Sequence, residues 1–238
     1  MSDFIREYFL FINEGVIILA AIIGLLCLNK YKHTVVKYFI YFLVYVVFIE
    51  ILGYYPFFSI NYESFNWIHE ITKGTLFEEN YLWYAIFWKV GATLFISFYY
   101  RLILINDLNK TIIKYLTYIF LITSIIYFAL NYEVYYNSEL KLIRFFGSFL
   151  IILCTVFYFV EILQSDKIIT FYKSINFYFS SVFFIWFLIK TPLAFYQIYY
   201  STADWNFVFL KRDIILVSNV FMYLTFIIAL LWCKPQNV

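Results

Sequence analysis

The sequence predicts an all-α, polytopic integral membrane protein with seven transmembrane helices. Of its residues, 65% are hydrophobic and 13% are charged, whereas soluble domains have about 45–50% and about 25%. The apolar residues also occur in long runs rather than in an amphipathic pattern. A run of about 20 apolar residues is long enough to cross a bilayer as a helix, and a helix satisfies its own backbone hydrogen bonds in lipid. The lipid bilayer is therefore the first expected partner, and we expect the plasma (inner) membrane.

Seven runs have the required length, and we call them the first to seventh spans. We expect them at about residues 8–28, 38–58, 82–105, 112–130, 145–163, 175–196 and 214–233. The connections are short, so residues 1–238 are expected to form a single transmembrane domain without a separate soluble domain. The third and fourth spans are separated by NDLNKT, Asn106 to Thr111, whose composition favours a tight turn.

The distribution of Lys and Arg predicts the orientation of the spans. The first, third and fifth connections and the carboxyl-terminal tail hold about nine of these residues, against about six on the other side. Most of the acidic residues outside the spans lie on the side with fewer Lys and Arg. Because positive residues accumulate in cytoplasmic connections, we place the amino terminus outside and the carboxyl terminus in the cytoplasm.

The connections differ in size on the two sides. The outer segment NYESFNWIHEITKGTLFEEN predicts a short interfacial helix from about Ser64, and the outer loop STADWNFVFLKRD adds Trp205 and Phe207. These aromatic residues favour anchoring at the membrane interface, or else a lid over an outward-facing pocket. The inner connections are too short to hold a signalling domain, so an inward signal would require a separate cytoplasmic or membrane protein.

Ionisable residues within the spans are candidate functional residues, because each costs about 2.5–3.5 kcal/mol at mid-membrane on insertion scales. Counting at about 1.5 Å per residue from the outer ends places Glu14 about 9 Å, Glu50 about 12 Å, Lys89 about 10 Å and Lys190 about 9 Å deep. Two acids and two bases from four spans therefore share one predicted layer. Glu161 lies close to the inner end of its span, where it can reach water or a lysine of a connection.

Neutral residues near the same depth support this layer. Asn13 and Asn219 are placed to complete its hydrogen bonding, and Gly15, Gly53 and Gly91 would let helix backbones approach closely. The layer has two interpretations. It binds a polar or zwitterionic small molecule or an ion, or its salt bridges only hold the helices together.

The segment WFLIKTP of the sixth span adds further features to the predicted site. Trp186 lies one helical turn from Lys190, a spacing that allows contact between the indole ring and the ammonium group. Pro192 has no amide hydrogen to donate to the carbonyl of Leu188, so we expect a helix kink there.

Several classes of protein lack support in the sequence. No cofactor or metal site is expected, because His33 and His69 are predicted on opposite sides of the membrane. Nucleic-acid binding has no support beyond a short basic segment that the positive-inside bias explains. Cys27, Cys154 and Cys233 lie in or at the ends of apolar runs without pairing motifs, so we interpret them as small apolar residues.

An enzyme is the least favoured class, because no nucleophile or acid–base pair can be assigned. LFEENYLWY, Leu76 to Tyr84, resembles the acidic pair before an aromatic run in integral-membrane carotenoid cyclases, but the proline of that pattern is missing. The resemblance would imply a membrane-embedded enzyme that acts on a lipid or isoprenoid. Retinal proteins carry their Schiff-base lysine in the seventh span, and here the predicted seventh span, residues 214–233, has none.

The sequence therefore favours a seven-helix sensor or receptor with an outward-facing polar pocket that signals through a separate partner. A small transporter or channel that uses the Glu and Lys residues for ion or proton coupling is the main alternative. The high aromatic content, 26%, leaves a structural subunit of a larger membrane complex as a third interpretation.

Overall fold

The computed structural model describes residues 8–133, 141–196 and 205–235. Within these ranges the chain is helical and has no strand, and seven helical segments are long and apolar enough to cross a membrane. The predicted all-α class and the predicted number of helices long and apolar enough to cross a membrane are confirmed.

The observed spans lie close to the predicted ones. They are Phe9–Leu26, Val36–Asn61, Tyr81–Ile103, Asp107–Leu130, Leu142–Leu163, Ile175–Leu193 and Phe207–Trp232. The second span consists of the helices Val36–Gly53 and Tyr55–Asn61. The helices of the last three spans extend further, over Lys141–Leu163, Ile175–Tyr196 and Trp205–Trp232.

The turn between the third and fourth spans is shorter than predicted. The fourth helix begins at Asp107, so most of NDLNKT is helical. Asn106 caps this helix, because its side-chain oxygen accepts a hydrogen bond of 2.8 Å from the amide of Leu108. Asp107 then stands in the first turn, where the helix dipole favours an acid. The polar composition predicted a turn, but these residues form a helix cap and a first turn.

The seventh helix also begins earlier than predicted. It begins at Trp205, so the predicted loop residues Lys211, Arg212 and Asp213 lie within it. The guanidinium carbon of Arg212 lies 4.2 Å from the centroid of the Phe9 ring at the start of the first helix. This cation–π contact gives the charged turn a partner on a neighbouring helix.

The third span contains a feature that the sequence did not predict. Tyr84–Gly91 is a π-helix, between the α-helical segments Tyr81–Trp83 and Ala92–Ile103. π-Helical segments are rare and occur frequently at functional sites.

The connection between the second and third spans contains the predicted short helix. A 3₁₀ turn at Glu63–Phe65 leads into a helix at Asn66–Thr72. Trp67 and Ile71 are exposed on this helix, at 58% and 68%. A second irregular connection, between the fifth and sixth spans, has 3₁₀ turns at Asp166–Ile169 and Phe171–Lys173.

The chain divides into two compact units. The first unit comprises Met1–Val44 and Thr155–Val238, and the second comprises Tyr45–Cys154. The first unit therefore contains the first, sixth and seventh spans with the start of the second and the end of the fifth. The second unit contains the remainder of the second and fifth spans with the third and fourth.

Each unit has its own aromatic core. In the first unit the Phe39 ring stacks on Phe179 at 3.7 Å and meets Phe226 edge-on at 5.0 Å between ring centroids. In the second unit Phe120 is fully buried and meets Phe146 edge-on at 5.5 Å. A Cβ at Gly147 would lie 2.8 Å from the Thr93 hydroxyl, so this glycine allows the third and fifth spans to approach closely.

Candidate functional site

A chain of polar side chains connects the first, sixth and seventh spans of the first unit. The Trp186 indole donates a 2.7 Å hydrogen bond to Oδ1 of Asn219. The Asn219 amide donates to Oδ1 of Asn13 at 2.8 Å, and the Asn13 amide donates to Oε1 of Glu14 at 3.0 Å. We call these four residues together with Lys190 the polar relay.

The hydrogen bonds of the polar relay all point in one direction. Each N–H group donates toward the Glu14 carboxylate, and each asparagine uses its oxygen as an acceptor and its nitrogen as a donor. Hydrogen bonds aligned in this way polarise one another in a medium of low dielectric constant. The Glu14 carboxyl oxygen is the last acceptor of this chain of hydrogen bonds.

Lys190 stands at the opposite end of the relay. Its ammonium nitrogen lies 4.1 Å from the centroid of the Trp186 ring, well within the range of a cation–π interaction. Trp186 and Lys190 are four residues apart on the sixth helix, which places them on one face. The relay therefore has a cation at one end and a carboxylate at the other, with neutral amides between them.

The sixth helix continues through Pro192 as far as Tyr196. Pro192 cannot donate a backbone hydrogen bond to Leu188. The preceding residue, Thr191, donates its hydroxyl to the carbonyl of Phe187 at 2.7 Å. The predicted kink at Pro192 stays a prediction.

In the second unit the predicted residue Glu50 pairs with a tyrosine. Oε2 of Glu50 accepts a 3.1 Å hydrogen bond from the hydroxyl of Tyr84, the first residue of the π-helix. A Cβ at Gly53 would lie 2.5 Å from the same hydroxyl, so the absence of a side chain at Gly53 gives Tyr84 the room to reach Glu50.

Three further hydrogen bonds join the second and third spans around this pair. The Tyr45 hydroxyl donates to the carbonyl of Phe87 at 2.6 Å, and the Trp83 indole donates to the carbonyl of Ile49 at 3.1 Å. Asn80 donates its amide to the carbonyl of Gly53 at 2.9 Å. We call these three bonds and the Tyr84–Glu50 bond the interspan ladder.

The Tyr45 bond ends on a carbonyl of the π-helix. Where the π-helix returns to an α-helix, the amide of Ala92 donates to the carbonyls of Trp88 and Lys89 and not to that of Phe87, five residues before it. The Tyr45 hydroxyl donates to the Phe87 carbonyl. A Cβ at Gly91 would overlap this hydroxyl, so the contact requires glycine at this position.

Lys89 lies within the π-helix, and its carbonyl accepts a 2.6 Å hydrogen bond from the hydroxyl of Thr93. Its side chain is half-buried. Glu50 and Lys89 belong to the second unit, whereas Glu14 and Lys190 belong to the first. The single layer of all four charges therefore stays a prediction.

Sequence reasoning missed the tyrosine and tryptophan residues of the interspan ladder. Tyr45, Tyr84 and Trp83 belong to a chain with 25 Tyr and 6 Trp residues, so composition does not single them out. Their spacing contains a usable signal, because Tyr45, Ile49 and Gly53 recur at intervals of four residues, and their partners Phe87, Trp83 and Asn80 at intervals of four and three.

Comparisons of the chain with protein-family models, with curated proteins and with solved structures found no match. In the described parts of the chain, no three His, Cys, Asp or Glu side chains group as the ligands of a metal ion would. The candidate site therefore consists of the polar relay in the first unit and of Glu50 and Lys89 with the interspan ladder in the second.

Proposed function

We propose that this protein is a membrane receptor or sensor whose polar relay binds a small zwitterionic molecule from the outer side. A signal would then pass through helix movement to a separate inner partner. In this proposal the amino terminus faces outward, the carboxyl terminus is cytoplasmic, and the membrane is the plasma (inner) membrane.

The observation that supports the proposal is the chemistry of the two ends of the relay. A zwitterion needs a cation for its anionic group and a carboxylate for its cationic group, and Lys190 and Glu14 supply them. The Trp186 ring adds an aromatic face, which attracts ammonium groups of ligands.

The relay also connects the elements that would have to move. Asn13, Trp186 and Asn219 lie on three different helices, and each depends on its neighbours for its hydrogen bonds. A guest that displaced one of these bonds would change the packing of the first, sixth and seventh helices together. Polar side chains between spans are worth about 0.6–2 kcal/mol each, a range that ligand binding can overcome.

A thermal-shift experiment tests the proposal. The purified protein in lipid nanodiscs would be mixed with a panel of zwitterions: glycine betaine, γ-aminobutyrate, taurine and the neutral amino acids. We expect at least one compound to raise the melting temperature, since a ligand at 100 times its Kd stabilises by about 2.7 kcal/mol.

The specificity of the shift would be tested with Lys190→Met, which removes the cation. The shift should disappear in this variant and persist in Val217→Leu, an exposed position on the seventh helix. A panel without any effect on the wild type, or a shift that survives in Lys190→Met, would argue against the receptor proposal.

A transporter or channel is the second candidate, and the π-helix of the third span is the observation that favours it. Many transporters have their binding sites at interrupted spans. The π-helix interrupts the third span, contains Lys89 and begins at Tyr84, which donates a hydrogen bond to Glu50. In that mechanism Glu50 and Lys89 would couple the movement of a substrate to the movement of an ion or proton.

Flux measurements separate the two candidates. Purified protein reconstituted in liposomes should move protons, potassium ions or the zwitterions of the panel if it is a transporter or channel. Glu50→Gln and Lys89→Met should then reduce the flux at least tenfold. A receptor should produce binding without flux, so the absence of flux together with a thermal shift would favour the receptor.

A further inference from the structure

The end of the seventh helix is capped by side chains from the connection that follows the first span. Lys30 donates its ammonium hydrogens to the carbonyls of Leu230 at 2.8 Å and Leu231 at 2.9 Å. The last carbonyls of a helix have no partners within the helix, and the helix dipole favours a cation at this end. The contacts fix the first connection against the carboxyl-terminal end of the seventh span.

Tyr31, the next residue of the first connection, also contacts the end of the seventh helix. Its hydroxyl donates to the carbonyls of Leu230 at 3.1 Å and Cys233 at 2.7 Å, and the side chain is fully buried. Burial, followed by the nearby Cys233 and Cys27, raises the pKa of Tyr31 far above its usual value. The hydroxyl therefore stays protonated and acts as a donor throughout the physiological pH range.

This corner of the first unit is rich in positive charge. Lys30, Lys32, His33, Lys37 and Lys234 are its basic residues, and the sequence has no Asp or Glu between Gly15 and Ile49 or after Asp213. Lys32, His33 and Lys234 are exposed. The connection between the fifth and sixth spans lies at the same end of the first unit. It carries Asp166, which is followed in the sequence by Lys167 and Lys173. We call the five basic residues the basic corner.

Exposed apolar side chains adjoin the basic corner. Trp232, the last residue of the seventh helix, is 81% exposed, and Leu26, the last residue of the first span, is 74% exposed. Leu231 is 57% exposed. Because both helices end here, these side chains lie where apolar spans meet the connections, the depth at which tryptophan is enriched in membrane proteins.

We propose that the basic corner binds the headgroup of an anionic phospholipid. The lysines would neutralise the phosphate, the Trp232 ring would lie at the level of the glycerol backbone, and Leu26 and Leu231 would contact the acyl chains. Charge complementarity and continuity with the lipid-facing surface of the spans favour a lipid over a soluble partner. Clusters of lysine next to a span attract anionic lipids in this way. The lipid site is independent of the receptor proposal.

Lipid titration of the purified protein tests this site. The protein would be placed in nanodiscs of phosphatidylcholine alone and of phosphatidylcholine with 30% phosphatidylglycerol, and its melting temperature measured. We expect a higher melting temperature with phosphatidylglycerol and a smaller difference at high salt, because ions screen exposed charges. Equal melting temperatures in the two membranes would overturn the proposal.

Matched variants test where the effect arises. Lys32→Gln with Lys234→Gln changes exposed lysines of the basic corner, and Lys110→Gln with Lys114→Gln changes two lysines at the start of the fourth span, in the other unit. The first pair should weaken binding of a fluorescent phosphatidylglycerol probe about tenfold, and the second pair less than twofold. Equal losses in both pairs would indicate general surface charge and contradict a site at this corner.

A soluble anion provides the last control. Glycerophosphoglycerol, the deacylated headgroup of phosphatidylglycerol, carries the same phosphodiester without acyl chains. It would be added to phosphatidylcholine nanodiscs at a concentration equal to that of phosphatidylglycerol in the lipid experiment. We expect no increase in melting temperature. An increase equal to that produced by phosphatidylglycerol would contradict a lipid site and favour a soluble anion. Unchanged melting temperatures of both variant pairs in phosphatidylcholine would show that the substitutions leave the fold intact.

Discussion

Asn219 holds the central position of the polar relay at the scale of single residues. It accepts from Trp186 and donates to Asn13, so its one amide joins three helices. Asparagine is suited to this position because it has both an acceptor and a donor. Leucine has nearly the same size and offers neither.

We therefore expect Asn219→Leu to destabilise the protein by about 1–2 kcal/mol, since it removes two polar contacts between spans that are worth about 0.6–2 kcal/mol each. Trp186 would lose its hydrogen-bond acceptor and Asn13 would lose a donor, and both hydrogen bonds are partly buried. Unfolding by sodium dodecyl sulfate in mixed micelles would measure the change. Val217→Leu is the control, since Val217 lies on the same helix and is 54% exposed. Equal stability of Asn219→Leu and the control would contradict the importance of the relay.

Cys233 gives a second prediction at the residue scale. Burial raises the pKa of its thiol, while the nearby Lys30 acts in the opposite direction to a smaller extent. A raised pKa leaves less thiolate at a given pH, and the thiolate is the reactive form. In a Cys27→Ala, Cys154→Ala background, we expect maleimide to label Cys233 slowly at neutral pH and faster as the pH rises.

Removal of the Tyr31 hydroxyl should increase this labelling. Tyr31→Phe loses the hydrogen bonds to Leu230 and Cys233, which loosens the end of the seventh helix. Mass spectrometry would measure the rate at which maleimide labels Cys233 in the parent protein, in Tyr31→Phe and in the denatured protein. Labelling of the parent protein as fast as that of the denatured chain would show that the cap does not protect Cys233.

At the scale of elements, the interspan ladder and the π-helix depend on each other. The apolar pattern of the third span predicts a helix, but hydrophobicity does not distinguish a π-helix from an α-helix. The tertiary contacts of the π-helix, such as the Tyr45 bond to Phe87, join residues far apart in the sequence. Gly53 and Gly91 were predicted to let helix backbones approach closely, but they make room for the hydroxyls of Tyr84 and Tyr45, and a Cβ at Gly15 would meet no atom within 4 Å.

A double-mutant cycle tests this dependence. Gly91→Ala should destabilise the protein by about 1–3 kcal/mol through overpacking, and Tyr45→Phe by about 1 kcal/mol through the lost hydrogen bond. The double variant should cost at least about 0.5 kcal/mol less than the sum, because removal of the hydroxyl leaves room for the alanine methyl group.

The same unfolding measurement applies to this cycle, with Gly15→Ala as the control. No atom lies within 4 Å of a Cβ at Gly15, so alanine should be neutral or stabilising there, as expected in a helix. Additive effects at Gly91 and Tyr45 would show that the two residues do not interact.

At the scale of the whole molecule, the sequence predicted the number of spans and most of their ends. The reason is physical: lipid requires long apolar helices, and their length is visible in the composition. The polar ends of the helices were less predictable. Asn106 and Asp107 look like a turn in the sequence, and Lys211 and Arg212 look like a loop, but capping and a cation–π contact place them in or next to helices.

The predicted sites were visible because charges are costly within a span. Glu14, Asn13, Asn219, Trp186 and Lys190 were all selected by depth or by spacing, and the structure connects them. Glu50 and Lys89 were selected for the same reason, but their immediate partners were not predicted. The depth of a side chain along its own helix can be counted from the sequence, whereas the residues that contact the side chain depend on how the helices pack.

The orientation of the molecule gives a prediction at this scale. Single cysteines would be introduced by Ser64→Cys in the connection proposed to lie outside and by Lys32→Cys in the connection proposed to lie inside, both in a cysteine-free variant. We expect a membrane-impermeant maleimide to label position 64 in intact cells and position 32 only after the membrane is permeabilised. The reverse pattern would invert the proposed topology.

The fluorescence of Trp186 tests the central proposal, a binding site at the polar relay, most directly. Subtracting the emission of a Trp186→Phe variant from that of the wild type isolates this residue among the 6 tryptophans. Titration with the zwitterion that gives the largest thermal shift should change the difference spectrum, with the same Kd as the thermal shift. An unchanged difference spectrum, while the compound still binds both proteins equally well, would contradict a site at Glu14, Trp186 and Lys190.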